Sequence, residues 1–219
     1  MLVVVGGMIG LGKTTMAELI SKELKGKVYY EAVDNNPILP LYYTASDEEI
    51  QKMRYPFLLQ LFFLNSRYKT IKEASLNACN NLSVIDRSIY EDWYFAKVNY
   101  DLGRMNNLEF EMYKLLLDNM MEEIKDIPKK APDLMVYLDG SFETVLSRIK
   151  KRGRSFEISP DLLSYYQTLW NGYGDWLRNF YKASDVLIID MDKYDVVNNK
   201  NDKDTVLSLI NDKLSSLKK

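Results

Sequence analysis

No histidine occurs anywhere in the 219 residues. Imidazole is the commonest proton carrier near neutral pH, the base of Ser-His-Asp triads and a leading metal ligand, so all three of those chemistries are excluded. Catalysis must rest on carboxylates, lysine, arginine and a hard cation such as Mg²⁺ bound by oxygen. Cysteine is almost missing as well. The lone Cys79 excludes a disulfide within the chain, and no charged-then-apolar leader precedes the first strand-like run, so a cytosolic protein is expected. No apolar run approaches the length that crosses a bilayer, and no membrane partner is expected. Strong charge of one sign is also lacking: the net charge is −2 and the pI about 5.4, which excludes a global basic field for nucleic acid. Repeats, low-complexity tracts and disordered linkers are absent. With 47% hydrophobic residues, the chain has ample material for a single domain over 1–219.

What is present begins with "GGMIGLGKTT" at residues 6–15. The spacing Gly7-x-x-x-x-Gly12-Lys13-Thr14 is the P-loop pattern. Gly7, Gly10 and Gly12 let backbone N–H groups close on phosphate oxygens, Lys13 reaches the β/γ-phosphates, and Thr14, followed by Thr15, offers Mg²⁺ a hydroxyl. The flanks fit: residues 1–5 are an apolar strand-like run, and Met16, Leu19, Ile20 and Leu24 repeat at helical spacing. Further strand-like runs at 27–31, 82–86, 134–139 and 186–190 alternate with segments of helical period. That alternation predicts an α/β fold with a five-stranded parallel sheet flanked by helices. Phe57, Leu61, Leu64, Tyr68, Ile71 and Ala78 predict a long helix over 56–80, and a second is expected over 107–126.

In parallel α/β sheets ligands sit beyond the carboxyl ends of the strands. Glu31, read as the end of the second strand, is therefore expected to share a crevice with the P-loop and to accept a proton from a hydroxyl that receives the phosphoryl group. Together with Asp34 it would repel an acceptor that already carries phosphate. Asp86, at the tip of the third strand, is placed to hold a Mg²⁺-bound water, and Arg87 to neutralise charge on the group in transit. In "SRIKKRGRSFE", residues 147–157, Arg148 and Arg152 share a helix face, and Gly153 ends the helix so that Arg154 falls on a mobile loop. The segment, about 148–158, reads as a lid whose guanidiniums grip phosphate and exclude water. The stretch "NKND" at 199–202 matches the guanine-reading motif of GTPases. No Asp between residues 13 and 199 is followed three residues later by Gly, so the companion motif is missing and 199–202 reads as a polar loop.

Taken together, the P-loop, "YYEAVDNNPILPLYY", "LLQLFFLNSR", "DRSIYED" with "KVNYDL", and the lid resemble the deoxyribonucleoside kinase family, most closely its bacterial deoxyadenosine/deoxyguanosine kinase branch. The resemblance implies a P-loop kinase fold and dimers formed through the two long helices. It implies that Glu31 is the general base for the sugar 5′-hydroxyl, that Arg87 steadies that base and the phosphoryl group, and that Asp86 is the Mg²⁺-linked carboxylate. Tyr43 and Glu157 are similar to the pair that binds the sugar 3′-hydroxyl, and Gln60, Arg67 and Asp92 to the trio that reads the base. Residues 190–195, "DMDKYD", match the place where the family holds the adenine of ATP.

Gln60 and Arg67, seven residues apart, share a helix face. Gln suits adenine N6/N7 and Arg suits guanine O6/N7, so the residues alone leave the purine open. The expected activity is ATP- and Mg²⁺-dependent 5′-phosphorylation of a purine deoxyribonucleoside, with deoxyadenosine favoured. Two alternatives stand beside it: a nucleoside monophosphate kinase of thymidylate-kinase type, and an ATP-dependent binding module without catalysis.

Overall fold

The structure is a computed structural model that describes residues 1–33, 35–126, 129 and 131–217. β1 (Leu2–Gly7) is buried along its whole length and lies at the centre of a parallel sheet. β3 (Ser83–Asp86) pairs along one side of it and β4 (Leu134–Asp139) along the other, with β2 (Lys27–Tyr29) and β5 (Asp185–Asp190) outermost. A parallel strand covered on both faces needs apolar side chains at every position, which is why β1 and β4 read as continuous runs instead of alternating ones. The strand order β2-β3-β1-β4-β5 reverses direction around β1. The crevice beyond the carboxyl end of β1 is therefore the place where a doubly wound sheet opens for ligands.

α1 (Lys13–Leu24) leaves β1 through the glycine loop. Short helices α2 (Leu39–Thr44) and α3 (Asp47–Met53) lead to the long α4 (Tyr55–Ala78). α4 buries Leu64, Ile71, Ala74 and Ala78 in the core, and it buries Gln60 and Arg67 on the way. After β3 come α5 (Asp92–Asp101) and α6 (Asn107–Lys125). Asn106 and Glu109 cap α6 reciprocally, and Glu109 also takes a forked pair of bonds from Arg54 at the start of α4 (2.6 and 2.5 Å). That tie fixes the two long helices to each other. α7 (Phe142–Arg152), α8 (Leu163–Asn179) and α9 (Lys200–Ser216) complete the layers.

Four sequence expectations need correction. The second strand stops at Tyr29, two residues before Glu31, because β2 pairs only with Ser83–Ile85 of β3 and finds no ladder partner beyond. The first strand runs on to Gly7, since Gly6 and Gly7 pair with Tyr137 and Leu138. The lid is ordered differently from a loop: Gly153 closes α7 in the left-handed conformation (φ 73°), and Ser155–Glu157 then form a 3-10 turn. Asn199 of "NKND" caps α9, its side chain accepting from the Asn201 and Asp202 N–H groups. That polar stretch is a helix start.

Candidate active site

Gly7 and Gly12 take conformations that other residues resist, with φ of 130° and 88°. A Cβ on Gly7 would also stand 2.4 Å from the Leu138 carbonyl oxygen, so only glycine fits against β4 there. The first bond of α1 runs from the Met16 N–H to the Gly12 carbonyl (3.0 Å). The N–H groups of Lys13, Thr14 and Thr15 thus precede the helical ladder at a positive helix end, a ready anion cradle. Lys13 spans the loop, its Nζ donating to the Met8 carbonyl (2.9 Å). Burial lowers its pKa to about 7, reinforced by Arg87 and opposed by Glu31, Glu91 and Asp86. A phosphate arriving here would favour the charged form of Lys13.

Thr14 Oγ1 donates to Asp86 Oδ2 (2.5 Å) beside the loop. Burial and the neighbouring Glu31 raise the Asp86 pKa, against Lys13, Thr14 and Arg87. A hydroxyl and a carboxylate form a hard-oxygen pair suited to Mg²⁺, which keeps several waters and takes further oxygens from phosphates. Among the described residues no group of three or more His, Cys, Asp or Glu side chains could hold a metal by itself, so this pair fits a cation shared with a nucleotide.

Glu31 faces the same cavity as Lys13, Arg87, Gln60 and Arg67. Its Oε1 lies 3.3 Å from Arg87 Nε and is ion-paired with Arg67 Nη2, while Arg67 Nη1 pairs with the buried Asp92. Burial opposes the Glu31 charge, but Arg67, Arg87 and Lys13 outweigh it and hold the pKa at about 2. The group is therefore an ionised carboxylate throughout the physiological range. Gln60 is buried on the wall of this cavity, and its side chain makes no hydrogen bond among the described residues. Phe63 and Phe95 supply apolar faces, and the Arg67 and Arg87 guanidiniums lie over them at 4.5 and 4.7 Å.

The lid end of the cavity is built from two layers. Tyr43 stacks on Phe156 with ring centroids 5.9 Å apart, and Glu157 beneath accepts from Arg152 and from Arg154 (3.5 Å). Arg148 is anchored differently, donating to the Leu11 carbonyl of the glycine loop (3.0 Å) and to the Met191 carbonyl after β5 (2.9 Å). It thereby joins the loop to a cleft lined by Gly10, Gly12 and residues 191–198. Arg148, Arg152 and Arg154 also line the cleft around Gly10, Gly12, Lys13, Thr14, Thr15, Glu31 and Asp86. The structure brings the expected site residues around three clefts that share lining residues, with two exceptions: Gly7 lines none of them, and the fully buried Asp92 meets them only through Arg67; Asp34 lies outside the described residues.

Sequence reasoning assigned nothing to Glu91, Tyr173, Phe63, Phe95 or Tyr165, although Glu91 and Tyr173 grip Arg87 and the other three line the acceptor cavity. Only Glu91 carried a local signal, the Ser88-x-x-Glu91 spacing of a helix start.

Chemically, the arrangement offers a phosphate cradle, a hard-oxygen pair for a divalent cation, and a carboxylate facing an apolar cavity with polar groups at its far end. The deoxynucleoside kinase family model matches residues 3–215. The chain is 44% identical over 220 residues to a deoxyguanosine kinase of Lactobacillus acidophilus, covering 99% of this chain and 92% of that one. It is 42% identical over 218 residues to a deoxyadenosine kinase of the same organism, covering 98% and 97%. The solved deoxyadenosine kinase from M. mycoides with bound dCTP is 28% identical and superposes with a TM-score of 0.77, over 97% of this chain and 100% of that one. The phosphate cradle, the carboxylate opposite it and these full-length likenesses lead to one conclusion: the chain belongs to the deoxynucleoside kinase family, and it is a kinase of deoxynucleosides.

Proposed function

We propose that the chain transfers the γ-phosphoryl group of ATP to the 5′-hydroxyl of a purine deoxyribonucleoside, deoxyadenosine ahead of deoxyguanosine, giving the monophosphate and ADP in the cytosol. The observation that carries this reading is that Glu31 and Lys13 line the cavity that also holds Gln60 and Arg67. A base at the Gln60 end sets the sugar toward Glu31 and the 5′-oxygen toward the phosphate cradle. Gln60 offers an unengaged amide, the bidentate partner of adenine N6/N7, whereas Arg67, the guanine-type donor, is already committed to Glu31 and Asp92. This difference favours deoxyadenosine.

Glu31 accepts the 5′-hydroxyl proton as the bond to phosphorus forms, and Arg87 holds Glu31 in place and offsets charge on the moving group. Lys13 and the N–H groups around Gly10, Gly12, Thr14 and Thr15 hold the donor phosphates, and Gly7, whose own N–H is bonded to Glu91, gives the loop its close seat against β4. Thr14 and Asp86 hold Mg²⁺, which when bound neutralises phosphate charge. Tyr43 and Glu157 bind the 3′-hydroxyl, and Arg148, Arg152 and Arg154 cover the phosphates from the lid. The whole chain acts as one kinase domain. ATP consumption with Mg²⁺ across deoxyadenosine, deoxyguanosine, deoxycytidine, thymidine and adenosine tests the reading. We expect kcat/KM for deoxyadenosine to exceed that for either pyrimidine by at least about tenfold, the discrimination of one good bidentate contact. Equal turnover of deoxycytidine or thymidine would overturn the purine assignment.

The working unit is a dimer of this chain through α4 and α6. α6 presents Leu108, Met112, Leu115 and Leu116 to solvent, a stripe at i, i+4, i+7 and i+8 in which Leu108 is 71% and Leu115 58% exposed. A stripe of this kind on a helix already tied to α4 fits a self-complementary helix pair. Light scattering should give twice the 25.6 kDa chain mass for the wild type and the single mass for Leu115→Arg. A monomeric wild type at micromolar concentration would refute the dimer.

A further inference from the structure

Outside the groups that face substrate, one buried carboxylate has an unusual set of partners. The Glu91 side chain is fully buried on the 3-10 turn that follows β3. Its Oε1 accepts from the Gly7 N–H (3.1 Å), from Arg87 Nη1 (3.1 Å) and from the Tyr173 hydroxyl, and its Oε2 accepts from the Ser88 N–H (3.3 Å). Arg87 closes the same knot from the other side, donating from Nη1 to the Tyr173 hydroxyl (2.7 Å) and from Nη2 to the Gly7 carbonyl (3.1 Å). Both polar groups of the Gly7 backbone are therefore held by this pair of side chains. The Arg87 backbone stands in the left-handed region (φ 62°), which is strained for an ordinary residue and persists only where its surroundings over-determine it.

We infer that Glu91, braced by Tyr173, is a positioning residue for phosphoryl transfer: it orients Arg87 against Glu31 and locks that arginine to the first glycine of the phosphate loop. The inference rests on the reading of Arg87 and Glu31 as acting at the reacting atoms. An arginine side chain has several rotatable bonds, and its charge at the reaction centre is useful only if it need not reorganise as charge develops. With Nη1 and Nη2 both engaged, the remaining Nε edge is the part presented to Glu31, at 3.3 Å. Glu91 also supplies the negative charge that allows Arg87 to be buried beyond the reach of water. Because Gly7 is in the same knot, any shift of the loop moves Arg87 and Glu31 with it. The donor and acceptor sides of the site are thereby kept in register. Glu91 touches neither substrate, so its loss should act on the chemical step and leave binding almost unchanged.

The test is steady-state kinetics with active-site titration, so that rates refer to folded sites, on four proteins: wild type, Glu91→Gln, Tyr173→Phe and Arg87→Lys. Glu91→Gln keeps the size and a hydrogen-bond acceptor but loses the charge. It should lower kcat by about 30- to 100-fold with KM for ATP and for deoxynucleoside both within threefold. Tyr173→Phe removes only the bracing hydroxyl and should lower kcat by about three- to tenfold with the same constancy of KM. If Glu91→Gln does not accumulate as folded protein, Tyr173→Phe decides alone. A purely structural role predicts fewer active sites with unchanged kcat per site, and that result together with a disabled Arg87→Lys would overturn the inference. A fully active Arg87→Lys would overturn the reading of Arg87 on which the inference rests.

Discussion

Glu31→Gln should lower kcat by about 10³-fold, within the range a positioned general base contributes and equal to about 4 kcal/mol of barrier. Glutamine keeps the shape of the side chain and can still accept from Arg67 and Arg87, but it cannot take the 5′-hydroxyl proton. The fold should survive, because neither arginine depends on Glu31 alone: Arg67 retains Asp92, and Arg87 retains Glu91 and Tyr173. Lys13 does lose one of the anions that support its charge. ATP affinity must therefore be measured separately, and calorimetry should place it within a few-fold of wild type, since the backbone cradle is untouched. An unchanged melting temperature with retained binding and lost turnover is the expected set of results. A kcat within tenfold of wild type would remove Glu31 from the proton path.

Much of this architecture is legible in the chain because its signals are local. The glycine loop is a contiguous pattern, and the strands of a doubly covered sheet are apolar runs with no alternation to decode. Gln60 and Arg67 fall on one face of α4 by spacing alone. What could not be read depends on contacts between distant segments. The pairing of Arg67 with Glu31 joins α4 to the loop after β2, and nothing near either residue announces it. The end of β2 is set by where its pairing with β3 stops, at Tyr29 opposite Ile85, which is a property of the sheet. Glu91 has a local reading as a helix-start residue, and its grip on Tyr173, 82 residues away, exists only in the folded chain. The ordered lid turn likewise depends on Tyr43, which α2 brings across the cavity to stack on Phe156, while Glu157 draws in Arg152 and Arg154 from within the lid itself.

Arg67 is the residue whose loss should damage most, and through two separable effects. It stands between Glu31 and Asp92, and the Asp92 side chain is completely buried. In Arg67→Met, Asp92 is left as a buried carboxylate without its counter-ion, a change that typically costs about 3–5 kcal/mol. For a domain of this size that corresponds to a fall of roughly 10 °C in melting temperature. On the proposed reading the same variant also frees Glu31 from a cation that holds it and removes the guanidinium from the base end of the cavity, and kcat/KM for deoxynucleosides should drop by at least about tenfold. The double variant Arg67→Met/Asp92→Asn separates the two effects, because a neutral amide at position 92 no longer requires a cation. Its melting temperature should recover most of the loss while kcat/KM stays low. The pH dependence adds an independent check. Arg67 is the largest of the influences that hold Glu31 at about 2, so removing it raises the Glu31 pKa, with burial pushing in the same direction. A carboxylate base works only when deprotonated, so activity is lost as pH falls through its pKa. Wild-type kcat/KM should show no acid limb from Glu31 in the range near neutrality, and the double variant should show one displaced toward higher pH. Full stability in the single variant would remove Asp92 from the argument. Recovered turnover in the double variant would show that Arg67 serves the fold and does not read the base.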